Sequence, residues 1–205
     1  MSIQSKKARA SLLGMVLLWS VGIASGSWLL LNHEFNTGAL YRAPAALPEA
    51  LQDHRSPDLP YLLALSLHPE CACSRATIEQ IDRLLAKNPD SIQIVAVLSE
   101  QLAQGSELAS KGRSYREALA KLPHTTILSD EDGSIARHLG ASLSGSIALY
   151  DADNQLRFEG GITSSRGHSG SSVGLSDLQR IARTLEPREL CQTPVFGCSL
   201  ETPDP

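Results

Sequence analysis

Aromatic side chains are scarce, at 4% of 205 residues, and basic residues are outnumbered, with 18 Lys and Arg against 22 Asp and Glu. Lys6, Lys7 and Arg9 lie within the first 31 residues, which hold no acid, so the net charge of −4 becomes −7 for the remainder. A domain with this balance lacks the basic footprint and the stacking platforms of a nucleic-acid binder. Four cysteines are too few to scaffold a chain of this length. No internal repeat is visible. Gly167-His168-Ser169-Gly170-Ser171 misses the last glycine of a serine-hydrolase nucleophile elbow. Asp130, Glu131 and Asp132 lack the spacing and terminal Glu of a calcium loop and read as a turn with a helix cap. What is present, 42% hydrophobic residues, suffices for one domain with a sizeable core plus attached sequence, and excludes disorder throughout.

Ser11 to Leu31 is 21 residues without a charge, preceded by Lys6, Lys7 and Arg9. At 1.5 Å rise per residue it spans a hydrocarbon core, and the charge bias keeps residues 1–10 cytoplasmic and exports the rest. A cleaved signal peptide, with small residues Ala24 and Gly26 at the cleavage site, is the competing reading. Continuation of the apolar run through Trp28 to Leu31 favours an anchor. In both readings the four cysteines lie outside the cytoplasm, and a single-pass protein of the inner (cytoplasmic) membrane with a periplasmic C-terminal domain is expected. Residues 32–58, with Pro44, Pro48 and Pro57, read as a tether, residues 59–187 as the folded domain and residues 188–205 as a cysteine-containing tail.

Within the domain, strand and helix alternate. Tyr61 to Leu67 is a continuous apolar run suited to a strand buried on both faces. Ile78, Ile81, Leu84 and Leu85 give one apolar face to a helix over 74–87, and Ile92 to Leu98 is a second buried strand, completing a β-α-β unit. A surface helical stretch over 101–122, interrupted around Gly105 and Gly112, is closed by Pro123. A short strand at 125–128 and a helix at 134–139 follow. Ser146 to Tyr150 and Gln155 to Gly160 form a hairpin around Asp151-Ala152-Asp153-Asn154, and Leu175, Leu178, Ile181 and Leu185 define a last helix. The expected fold is α/β, a mixed sheet with flanking helices, preceded by one transmembrane helix.

Cys71-Ala72-Cys73 stands between the first strand and the first helix of the domain, where helix dipole and free N–H groups stabilise a thiolate. Over residues 59–187 this placement resembles the thioredoxin-like superfamily. HPECACSRATIEQ, GGITSSRGH (160–168) and VFGCSL (195–200) further resemble a membrane-anchored RedB-like group within it. The resemblance implies a thiol-disulfide or metal-handling fold. Two features depart from ordinary thioredoxins. The cysteines are one residue apart instead of two, and the loop Ala141 to Ser146 holds no proline where thioredoxins place a cis-proline that helps bind an extended substrate, so Ser144, Gly145 or Ser146 takes that place.

A Cys-x-Cys disulfide closes a small strained ring and is labile. In the redox reading Cys71, expected to be the more exposed thiol, exchanges with a protein thiol or disulfide partner near the membrane. Cys73 then resolves the mixed disulfide, and Cys198 is a third member of the relay. Arg166 and His168, in the glycine-rich stretch 160–174, are supporting residues that stabilise a thiolate and carry a proton. No cofactor is required. In the alternative, Cys71 and Cys73 bind Cu(I), with His168 or Cys198 completing the site. A third reading is a non-catalytic scaffold of a membrane complex. Cys191 and Cys198, seven apart, are open to a local disulfide stapling the tail.

Overall fold

The computed structural model describes residues 3–36, 41–88, 90–100, 114–184 and 189–201. The chain divides into two units, Met1–Asn36 and Thr37–Pro205. The first is a single helix, α1 (Ile3–Phe35). Its segment Ser11–Phe35 is 25 residues with a mean hydropathy of 1.7, long and apolar enough to cross a membrane.

The second unit is built on a six-stranded mixed sheet. Its elements are α2 (Glu49–Gln52), β1 (Tyr61–Leu67), α3 (Ala72–Leu85), β2 (Ile92–Ser99), β3 (Thr125–Asp130), α4 (Ser134–His138), β4 (Ser146–Tyr150), β5 (Leu156–Gly160), α5 (Val173–Thr184) and β6 (Cys191–Gln192). A helical segment at 114–119 precedes β3. The strand order is β3-β2-β1-β4-β5-β6. β1, β2 and β3 run parallel, β4 is antiparallel to both β1 and β5, and β6 lies parallel to β5. A parallel β-α-β unit joined at its inner strand to an antiparallel hairpin, with a closing helix, is the thioredoxin-like topology, and the fold is of that class.

Burial on both faces explains why the central strands read as unbroken apolar runs. Tyr61, Leu63, Leu65 and Leu67 face one core with Ile81 and Leu84 of α3 and Leu178 and Ile181 of α5. Leu62 and Ala64 face the other, which contains Ala136, Leu139, Val195 and Leu200. Tyr41, Leu47 and Leu51 belong to that second core. The latter part of the stretch expected as a tether is therefore packed structure. It is stitched to the β4–β5 hairpin by Leu47 N to Asn154 O (2.9 Å) and Leu156 N to Ala45 O (2.9 Å). Pro44 and Pro48 sit between the buried Tyr41, Leu47 and Leu51 rather than in a solvated linker.

Other boundaries shift by a residue or two. The turn at 130–132 caps α4 as its composition predicts: Asp130 accepts from the backbone N–H of Ile135 and Ala136, and Asp132 from that of Ser134. Residues 101–113, with Gly105 and Gly112, and Leu185 lie outside the described residues.

Candidate functional site

β1 ends at Leu67, and the connection through His68 and Pro69 delivers Cys71 to the N-cap position of α3, with an extended backbone (φ −77°, ψ 126°). Cys73 falls in the first turn of that helix. Neither thiol is open: Cys71 is 2% and Cys73 3% exposed. This corrects the expectation that Cys71 is the accessible sulfur. The exposed thiol is Cys198, from the C-terminal segment, and its Sγ lies 2.7 Å from Cys71 Sγ. The contact joins residues 127 positions apart.

The three thiols differ in proton affinity. Cys198 and Cys73 both donate to the Cys71 sulfur, which holds Cys71 far below its ordinary 9.0. The same contacts, with burial, push Cys73 and Cys198 upward. Cys71 is the thiolate of the set, at the helix N-terminus where the macrodipole also favours an anion. The Arg166 guanidinium opposes the rise at Cys198, and its Nη1 donates to the Gly197 carbonyl at the neighbouring position.

The segment 160–174 meets the thiols directly. Gly167 contributes a backbone hydrogen bond to Cys73, and a Cβ at Gly167 would stand 3.3 Å from that of Ala72. Arg166, in the same loop, faces the Cys198 segment. His168 does not join the sulfurs in any hydrogen bond: it is exposed, and its Nδ1 contacts Ser165 Oγ (3.0 Å) and Arg166 O (2.8 Å) within its own loop. Cys191 is also apart, half-buried on β6 with Arg180 Nη2 3.2 Å from its sulfur. It forms no staple with Cys198.

Of the donors proposed for copper, Cys71, Cys73 and Cys198 are brought together and His168 is not. Among the described residues no group of three or more His, Cys, Asp or Glu is placed to hold a metal ion.

Two further residues support the site, and of these Tyr115 was not singled out in the sequence. The Tyr115 hydroxyl donates to the Cys71 carbonyl (3.0 Å), and its own ionisation is pushed up by burial and by the nearby thiols. Ser144, one of the three residues of the proline-free loop expected at the place of the cis-proline, is fully buried. Its Oγ accepts from the His68 N–H (3.0 Å) and pairs with Ser74 Oγ (2.7 Å), and its own N–H donates to the Cys198 carbonyl (2.8 Å). Ser74 Oγ in turn donates to His68 O (2.7 Å). Burial lowers the basicity of His68, against the opposing pull of Cys71 and Glu70. No cis peptide bond occurs among the described residues.

No family model matches the chain, and no curated protein matches it. Solved structures do. A hypothetical protein from Sinorhizobium meliloti is 22% identical, with a TM-score of 0.58 over 82% of this chain and 96% of that one. An uncharacterized conserved protein from Geobacillus kaustophilus is 20% identical, with a TM-score of 0.57 over 83% and 95%. The thioredoxin domain of a thiol-disulfide oxidoreductase from Bacteroides vulgatus aligns more loosely, 14% identical with a TM-score of 0.41 over 74% and 98%. The likeness is one of fold.

Proposed function

We propose that this protein is a thiol-disulfide exchange protein, anchored by α1 in the cytoplasmic membrane with its thioredoxin-like domain on the extracytoplasmic side. The observation that carries the reading is the approach of Cys198 Sγ to Cys71 Sγ, 2.7 Å, at the N-terminus of a helix. Two sulfurs this close in a redox fold are poised to form and break a bond, and the low-pKa member is the natural nucleophile and leaving group. Cys71 is the central sulfur. It pairs with Cys198 or, in the strained short ring, with Cys73. The partner is a protein dithiol or disulfide near the membrane surface, and the resemblance of the HPECACSR and GGITSSRGH segments to the RedB-like group is consistent with an anchored redox protein.

The test is exchange between the full chain in detergent and a glutathione redox buffer, followed by mass mapping of cysteine pairs. The wild type is expected to move between a Cys71-linked disulfide and free thiols as the buffer potential changes. Cys71→Ser is expected to abolish that response, and a Cys71→Ser protein that retains it would refute the reading.

A further inference from the structure

The segment 195–200 is seated as a strap across the thiols. Leu143 and Ser199 form an antiparallel bridge, with Ser144 N donating to Cys198 O (2.8 Å) and Leu200 N to Ser142 O (2.8 Å). Val195 and Leu200 are each 3% exposed in the second core. Arg166 clasps the Gly197 carbonyl. Gly197 itself lies flat on Ser144, where a Cβ would come within 1.9 Å of the Ser144 carbonyl oxygen, so only glycine fits. A proline at 144 would have no N–H for Cys198, which gives the proline-free loop a positive role.

Cys198 of this strap meets Cys71, Cys71 and Cys73 are buried, and Cys198 is the exposed residue of the three. We infer that the C-terminal strap makes Cys198 the entry sulfur of the site: a partner thiol engages Cys198, never Cys71 directly, and Cys71 is the internal leaving group. The inference rests on the exchange reading above and specifies its order.

In the step, a partner thiolate donates its electron pair to Cys198 Sγ of the oxidised Cys71–Cys198 pair. The partner–Cys198 bond forms, the Cys71–Cys198 bond breaks, and its electron pair departs as the Cys71 thiolate. A second partner thiol then attacks the partner sulfur of that mixed disulfide, and Cys198 leaves and takes up a proton. The partner dithiol loses two electrons and the Cys71–Cys198 pair gains them. Read backwards, a partner disulfide re-oxidises the pair. The low proton affinity of Cys71 makes it the better leaving group, so chemistry and access favour the same sulfur.

The experiment uses the oxidised full chain in detergent, a brief pulse of glutathione, an acid quench and mapping of the glutathione adduct. The expected result is adduct on Cys198, in excess over Cys71 by at least about tenfold. Gly197→Val, which cannot keep the strap seated, is expected to bring the Cys71 share up to parity or beyond. Adduct mainly on Cys71 or Cys73 in the wild type would overturn the order of entry while leaving exchange itself intact. An unchanged Cys198 preference in Gly197→Val would overturn the role of the strap. Absence of any adduct on the folded protein would overturn the exchange reading as well.

Discussion

At the residue scale the decisive property is unequal proton affinity among three neighbouring sulfurs. Cys71 is held below its ordinary 9.0, while Cys73 and Cys198 are held above it. The reduced protein is therefore expected to show about one thiolate per chain at neutral pH by ultraviolet absorbance, absent in Cys71→Ser. Because the folded state binds the Cys71 proton more weakly than the unfolded chain, this group's stabilisation is complete above pH 9.0 and is lost as pH falls through its depressed folded value. The other two thiols act in the opposite sense: their contribution is present below 9.0 and lost as pH rises beyond it. The placement of Cys71 and Cys73 at the strand-to-helix junction was legible in the sequence, because a continuous apolar strand and a periodic helix bracket the pair. Relative access was not legible, since it depends on a segment more than a hundred residues away. Tyr115 was missed for a similar reason: it acts through a hydrogen bond to backbone distant in the chain. His168 had only its neighbours in sequence to speak for it, and the fold turns it outward.

Elements were legible wherever burial left a periodic trace. The β-α-β unit, the hairpin and the last helix announced themselves by continuous apolar runs or by helical spacing. Residues 41–52 did not, because Tyr41, Leu47 and Leu51 fill gaps in the second core without a common period and are separated by prolines. Both ends of the folded unit also converge on one buried carboxylate of β5. Glu159, 3% exposed, accepts from Arg42 Nη1 (3.1 Å), the Ala43 N–H (2.7 Å) and Gln192 Nε2 (2.6 Å). It ties the entering segment and the β6 strand to the hairpin. Glu159→Ala leaves three donors without this acceptor and is expected to lower stability by about 2 kcal/mol in urea unfolding of the full chain. Its effect is also expected to reach the strap that follows β6, seen as increased glutathione adduct on Cys71.

For the whole molecule, the contact between Cys71 and Cys198 is a statement about assembly. The two sulfurs are separated by 127 positions and meet only after the sheet has been completed and the last segment laid down. Oxidising that pair closes a loop that includes most of the folded unit. Loop-closure entropy alone assigns such a bond about 5 kcal/mol of stabilisation against the unfolded chain. The oxidised full chain is accordingly expected to melt well above the reduced one by calorimetry in detergent, and the gap is expected to vanish in Cys198→Ser. The converse follows by linkage: whatever loosens the fold makes this disulfide easier to reduce. A protein built this way keeps a record of its own completeness, because a chain cut short before residue 198 has lost the sulfur through which its redox state would be written.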